Sequence, residues 1–405
     1  MFAAHTPHPT SRQFHMFAAL TPHPTAPPDL YGRCADTPPH RPAGFIGSLR
    51  TPPTPPPRRI YMFAALTKAA RYSIRFAGEG MRVHLVRGGG DTLSAVMTEM
   101  VLRAMVPDDW DAVAELVYTS TNYWYASKGA GAIFAGGPDV ARVFPEVYEA
   151  LDPGCCILAV HPRTGRLMGS CFFHPRETHV SLGIMNVHPA HFGTGVARRL
   201  LRHITDLADA QGLPVRLVSS AMNLDSFSLY TRAGFVPRRT YQDILLAVPA
   251  SGLSHDAPGR AQVRTATVAD VPAIVALEEE LTGIRRGGDF AHFIENRAGI
   301  WHVSVLDGRD GRLDAVVASV AHPGSRMVGP GVSRSEAGAA AVLLAELDRH
   351  RGHSPVFLVP VECGDLVPQI YGWGGRNVEM HVHQVRGACP PFSGVTLPSF
   401  MPETG

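Results

Sequence analysis

Two short phrases carry the residues best suited to chemistry. The first is NVHPAHFGTGVARRLL, Asn186 to Leu201, in which Gly193 and Gly195 open a run with helical apolar spacing. Glycine lets a backbone approach a ligand closely, and the unpaired amides at a helix start, with the positive end of the dipole, attract phosphate. The amides of Gly193, Thr194, Gly195, Val196 and Ala197 therefore form a candidate phosphate cradle, to which Arg198 or Arg199 adds charge. The second phrase is NLDSFSLYTRAGF, Asn223 to Phe235. There Asn223 reads as a helix cap, Ser226 lies in the first turn, and Leu229, Tyr230 and Ala233 fall on neighbouring helical positions before a stop at Gly234.

The elements that must position these phrases follow a recurring order. VLRAM from Val101 reads as a strand, and Pro107 to Asp111 as the start of a helix running through Val117. Residues 155–160, 167–173 and 178–187 read as three strands, the first two joined by hairpin-turn chemistry. Val196, Leu200, Leu201, Ile204, Leu207 and Ala208 recur at helical spacing, and residues 215–218 form another buried strand. This succession predicts an α/β fold, a mixed sheet covered by helices.

The opening phrase returns later. Leu102, Arg103, Asp109, Ala112, Val113 and Leu116 correspond to Val263, Arg264, Asp270, Ala273, Ile274 and Leu277, which indicates an internal duplication. In the second copy the turn reads GPGVSRSEAGAAAVLL, and Glu336 at its helix start would repel phosphate. Tyr371 matches Tyr230 in position. The final strand, 378–385, alternates as a half-buried one and is expected to pair with the edge of the other copy. The expected organisation is a disordered Pro-rich extension over 1–96, a first unit over 97–248, a linker over 249–260, a degenerate second unit over 261–388, and a surface-lying tail over 389–405. Fourteen of the 35 prolines fall in the first sixty residues, where the apolar positions show no period, so no core can form there. Met97 or Met100 is an alternative natural start.

Composition narrows the function classes. A chain of 405 residues exceeds what one core usually serves, 45% hydrophobic with 18% charged residues is ordinary for a globular protein, and no stretch approaches the roughly 18 apolar residues of a membrane span. Thirty-seven basic against 35 acidic residues give a net charge of +2, which argues against a nucleic-acid partner. The six cysteines form no CxxC pair and no zinc spacing, so no metal is expected; reduced thiols suit a cytoplasmic protein.

Taken in order, strand, F-G-T-G-V-A, helix, strand, then N-x-x-S-x-x-L-Y-x-x-x-G-F resembles the acetyl-CoA core of the GNAT superfamily of N-acetyltransferases, over roughly residues 100–248. The resemblance implies two GNAT-like acyl-CoA N-acyltransferase domains in tandem, acetyl-CoA as co-substrate, and direct transfer to a primary amine of a small molecule or protein. It counts Val187 and Phe192, just before the cradle, with the cofactor site, although Phe192 departs from the family's pattern. It places Asn223 near the pantetheine arm and makes Tyr230 the acid that protonates the departing thiolate. The amine needs a base, for which Glu177, His179 and His188 are candidates. The aromatic run Tyr118, Tyr123, Trp124 and Tyr125 lies where the family builds its acceptor pocket, or belongs to the core. A non-catalytic acyl-CoA sensor is the alternative reading.

Overall fold

The computed structural model describes residues 100–403 and two short strands, β1 (Tyr72–Arg75) and β2 (His84–Arg87), which pair antiparallel. The rest of the expected extension over 1–96 lies outside the described residues.

From β3 (Val101–Ala104) the chain passes through α1 (Trp110–Ser127), α2 (Val143–Leu151), β4 (Cys156–Val160), β5 (Leu167–Pro175), β6 (Val180–Val187), α3 (Val196–Ala210), β7 (Val215–Ser220), α4 (Leu224–Arg232) and β8 (Val236–Leu245). The same order then recurs. It runs β9 (Val263–Thr265), α5 (Val271–Thr282), α6 (Gly287–Glu295), β10 (Trp301–Asp307), β11 (Leu313–His322), β12 (Ser325–Ser333), α7 (Glu336–Leu347), β13 (Val356–Pro360), α8 (Leu366–Gly372) and β14 (Arg376–Arg386). A last short strand, β15 (Val395–Leu397), follows.

The repeated opening phrase has a physical reason. Arg103 forks onto Asp109 at 2.6 and 2.7 Å while Asp109 also accepts the Val106 amide at 2.9 Å. In the second half Arg264 holds Asp270 at 2.9 and 2.7 Å, and the Thr267 amide donates to that carboxylate at 2.7 Å. Each aspartate ties a strand to the helix it feeds, which is why Arg and Asp recur at this spacing.

Helix α3 turns Val196, Leu200, Leu201 and Ile204 into the core, none more than 2% exposed, and leaves Arg198 and Arg202 outside. Each such aliphatic side chain contributes about 1.5–3 kcal/mol by burial. Helix α7 is different: Gly338 through Leu344 are all buried, because Leu253 and Ala257 of the segment joining the halves pack on the side away from the sheet.

Thirteen strands form one mixed sheet in the order β3-β4-β5-β6-β7-β14-β8-β13-β12-β11-β10-β9, with β15 on β12. The two halves exchange strands. β14, the end of the second half, runs between β7 and β8, and β8, the end of the first, runs between β14 and β13. The final strand thus pairs with the other half along its whole length rather than only at an edge, and residues 100–403 fall in one compact unit.

Two forks interrupt the sheet. β6 and β7 are parallel and pair only at Val180↔Val215 and Ser181↔Arg216 before diverging. β12 and β13 pair only at Met327↔Val356 and Val328↔Phe357. In the second fork the tail intervenes, β15 pairing with β12 from Gly331↔Leu397 to Ser333↔Val395. The tail is therefore not a surface segment as its proline content suggests: Val395, Leu397, Ser399 and Met401 are each at most 2% exposed. Among the described residues no helix is long and apolar enough to cross a membrane.

Because β7 and β8 depend on β14 for backbone partners, residues 97–248 produced alone are expected to aggregate or associate, and residues 249–405 supplied in trans to restore a soluble complex. Size-exclusion chromatography with circular dichroism checks this; a monomeric fragment that unfolds cooperatively would contradict it.

Candidate active site

The first fork opens into a cavity of about 280 Å³. Its walls come from both halves. On the side of α3 and α4 stand Asn223 and Tyr230; on the other side are Trp124 and Tyr125 of α1, Phe134, Phe144 and Ile184, closed by Asp243 of β8, His381 of β14, and Phe400 and Glu403 of the tail.

Asn223 caps α4, its Oδ1 accepting the Ser226 amide at 3.1 Å. That cap fixes the turn between β7 and α4 and so the position of Tyr230, two turns on and 6% exposed. Burial raises the Tyr230 phenol, so it stays protonated at neutral pH and is able to donate. Its positional counterpart Tyr371 is 44% exposed and donates to Gln242 instead.

The glycine turn lies beyond the mouth of the fork. Gly193 and Gly195 have φ of +74° and +88°. A Cβ at Gly193 would meet nothing within 4 Å and one at Gly195 only Arg198 Nη2 at 3.5 Å, so backbone hand, not packing, calls for glycine. The turn faces a groove lined by Thr194, Gly195, Arg198, Arg199 and Arg202, and the first amides of α3 lack helical partners there. Phe192 is 46% exposed and meets Tyr123 edge-on at 5.8 Å. Val187 ends β6 just before the turn.

The second half has no such opening. Glu336 at the start of α7 accepts the amides of Asp365 and Leu366 at 2.8 and 2.6 Å, bridging the starts of α7 and α8. Ser335 takes the Gly338 amide at 3.1 Å, and a Cβ on Gly338 would lie 2.7 Å from Ser333 Oγ. That glycine serves packing.

Acidic groups gather on the inner wall. The Glu403 carboxylate accepts the Tyr148 hydroxyl at 2.5 Å and the Ile184 amide. Burial raises it to about 8, against the pull of those donors. Asp243 holds His381 Nδ1 at 2.7 Å, and Glu379 accepts from Tyr125 Oη at 2.8 Å and from Ser220. Burial disfavours the His381 imidazolium, but Asp243 and Glu379 outweigh it and the pKa is raised; burial also raises Glu379. Asp243, Glu379 and His381 each offer a ligand atom within 4.8 Å of the others, yet each is already hydrogen-bonded within the protein, which fits a proton network better than a metal site.

The base candidates from sequence stand elsewhere. Glu177 is exposed at the β5–β6 turn and pairs with Arg285 at 2.8 Å. His179 is 1% exposed; burial first, then Arg216, Arg286 and Arg176, push it well below its ordinary range. His188 caps the short turn after β6, its Nδ1 accepting the Ala190 amide at 3.2 Å. None of the three lines the cavity. The aromatic run divides: Trp124 and Tyr125 line it, Tyr118 stacks on Phe134, and Tyr123 faces out.

Residues 123–235, from the second half of α1 to the threshold of β8, match the sequence profile of the Acetyltransferase (GNAT) family. This stretch is a GNAT domain. A protein from Pyrococcus horikoshii assigned as an acetyltransferase shares the fold at a TM-score of 0.57 and 14% identity, covering 79% of this chain and 100% of its own. A GCN5-related N-acetyltransferase from Sphaerobacter thermophilus aligns at 0.49 with 18% identity, over 73% of this chain and 97% of its own. No curated protein matches the chain in sequence. Family match and fold together support acyl transfer from an acyl-CoA.

The raised Glu403 predicts a pH signature. Its folded value of about 8 lies above the ordinary 4.5, so the folded state holds the proton more tightly; this contribution is full below 4.5 and is lost as pH rises to about 8. Melting temperatures of the native protein should therefore fall relative to Glu403→Gln across that interval. A difference independent of pH would contradict the assignment.

Proposed function

We propose that the chain is an N-acetyltransferase that moves the acetyl group of acetyl-CoA directly to a primary amine of a small molecule or protein, and that the fork of the first half is its working site. The observation that carries this reading is the cavity at the fork, which brings Asn223 and the protonated Tyr230 together with Asp243, His381 and Glu403, while the glycine turn lines a separate groove along α3.

The Gly193–Arg198 amides and the arginines of α3 hold the pyrophosphate, and Asn223 borders the pantetheine path. The thioester then lies in the fork, where backbone groups of β6 and β7 no longer bond one another. Glu403 is the base we favour over the sequence candidates, because it lies in the chamber and titrates near the working pH. It takes the proton from the incoming ammonium. The free amine adds to the thioester carbonyl, the C–S bond breaks as Tyr230 gives its proton to the departing sulfur, and the surplus proton of the new amide nitrogen restores the Tyr230 phenol. The products are an amide and free CoA. The second half, with Glu336 across its helix starts and β15 in its fork, serves as a scaffold that lends His381, Glu379 and Glu403 to the first.

Release of free thiol from acetyl-CoA across a panel of amines tests the reading. Tyr230→Phe should lower kcat about a hundredfold with KM for acetyl-CoA little changed. Glu403→Gln should abolish the limb of kcat/KM that rises toward pH 8. Binding of acetyl-CoA without thiol release on any amine would support the sensor reading instead.

A further inference from the structure

Below the point where β6 and β7 part, on the last residue pair they share, lies a buried cation without a counter-ion. Arg216 of β7 is 2% exposed, and its Nε and Nη1 find no hydrogen-bond acceptor among the described residues. The one bond it makes is from Nη2 to the Thr282 carbonyl, at 3.3 Å. The Phe392 ring covers it with a centroid 5.9 Å from Cζ, a contact that attracts the charge but accepts none of its N–H groups at the guanidinium edge.

The surrounding carboxylates are already engaged. Glu278 holds Arg286 at 2.5 Å, and Asp152 and Asp289 hold Arg176 at 2.7 and 2.6 Å. None pairs with Arg216. Burial pushes the guanidinium down and a second cation, Arg286, adds to the effect, outweighing the opposite pull of Cys389 and Tyr241, neither of which hydrogen-bonds it. A buried charge with unpaired donors is among the most costly features a fold can carry, so the structure calls for a negative charge here.

The space for it is present. Arg216 lines a small, partly open pocket of about 20 Å³ with Arg286, Tyr241, Thr282, Thr396 and Phe392. That exceeds the ~10–15 Å³ that one water-sized occupant needs. Tyr241 and Thr396 share a 2.7 Å hydrogen bond at its wall, leaving one hydroxyl hydrogen of the pair free to turn inward.

We propose that Arg216 anchors a buried site for a monatomic anion, with chloride as its occupant, which braces the fork at its base. The site joins five parts of the chain, namely β7, β8, β12, the end of α5 with the loop to α6, and the tail around Phe392 and Thr396. An ion seated there ties the tail, which ends in Glu403, to the strand that forms one wall of the fork.

Thermal unfolding of the full chain in sodium chloride and in sodium gluconate at matched ionic strength and pH tests this. The midpoint should be a few degrees higher in chloride, rising with its concentration, and Arg216→Met should lose that dependence. Equal midpoints in the two salts, or a chloride effect unaltered in the variant, would overturn the proposal. Should the variant fail to fold, crystals of the native protein soaked in bromide decide: an anomalous peak at hydrogen-bond distance from the Arg216 guanidinium supports the site, and an ordinary water there refutes it.

Discussion

The exchange of β8 and β14 is the constraint on which the rest of the structure depends. A strand's amides and carbonyls must be paired, and the ends of both halves meet that need by pairing with each other's neighbours. One consequence is a continuous sheet in place of two edge-to-edge ones. A second is that residues far apart in sequence meet. His381 lies opposite Ser220 and Tyr241 in the register, which places the second half's side chains in the wall of the first half's cavity.

The halves share an order of elements, a strand exchange and a fork, and differ in what occupies the fork. In the first, two residue pairs join β6 and β7 and a cavity follows. In the second, the tail adds β15 to β12, and Glu336 spans the helix starts that Gly193 and Gly195 leave open in the first. The same tail that fills one fork brings Phe400 and Glu403 to the other. The filling of one fork and the lining of the other are thus physically linked in this chain.

Much of this was legible in the sequence where the signal is local. The glycine turn and the Asn223–Tyr230 phrase are each continuous in sequence, and their spacing alone places Gly195 at the start of α3, Asn223 at the start of α4 and Tyr230 two turns along it. The Arg103–Asp109 phrase recurs at Arg264–Asp270, and the order of elements that follows it recurs too. β12 was hidden, because SRMVGPGVS carries two glycines and a proline that read as a turn, although its Met327, Val328 and Val332 are buried. The tail misled for the same reason: its prolines mask the alternation that buries Val395 and Leu397. Glu403, Glu379 and Asp243 could not be found by spacing, since the strand exchange sets Glu379 opposite Asp243 and the tail brings Glu403. The choice of Glu177, His179 and His188 followed proximity in sequence to β6, whereas the chamber is closed by residues that arrive from the other end of the chain.

The central claim is that one fork of two works. Calorimetric titration of the full chain with acetyl-CoA tests it most directly, since stoichiometry separates the halves without knowledge of the acceptor. The account predicts one site per chain, lost when Gly195→Val forces a β-branched side chain onto a backbone at φ +88°. Two sites per chain, or a single site indifferent to that substitution, would contradict it.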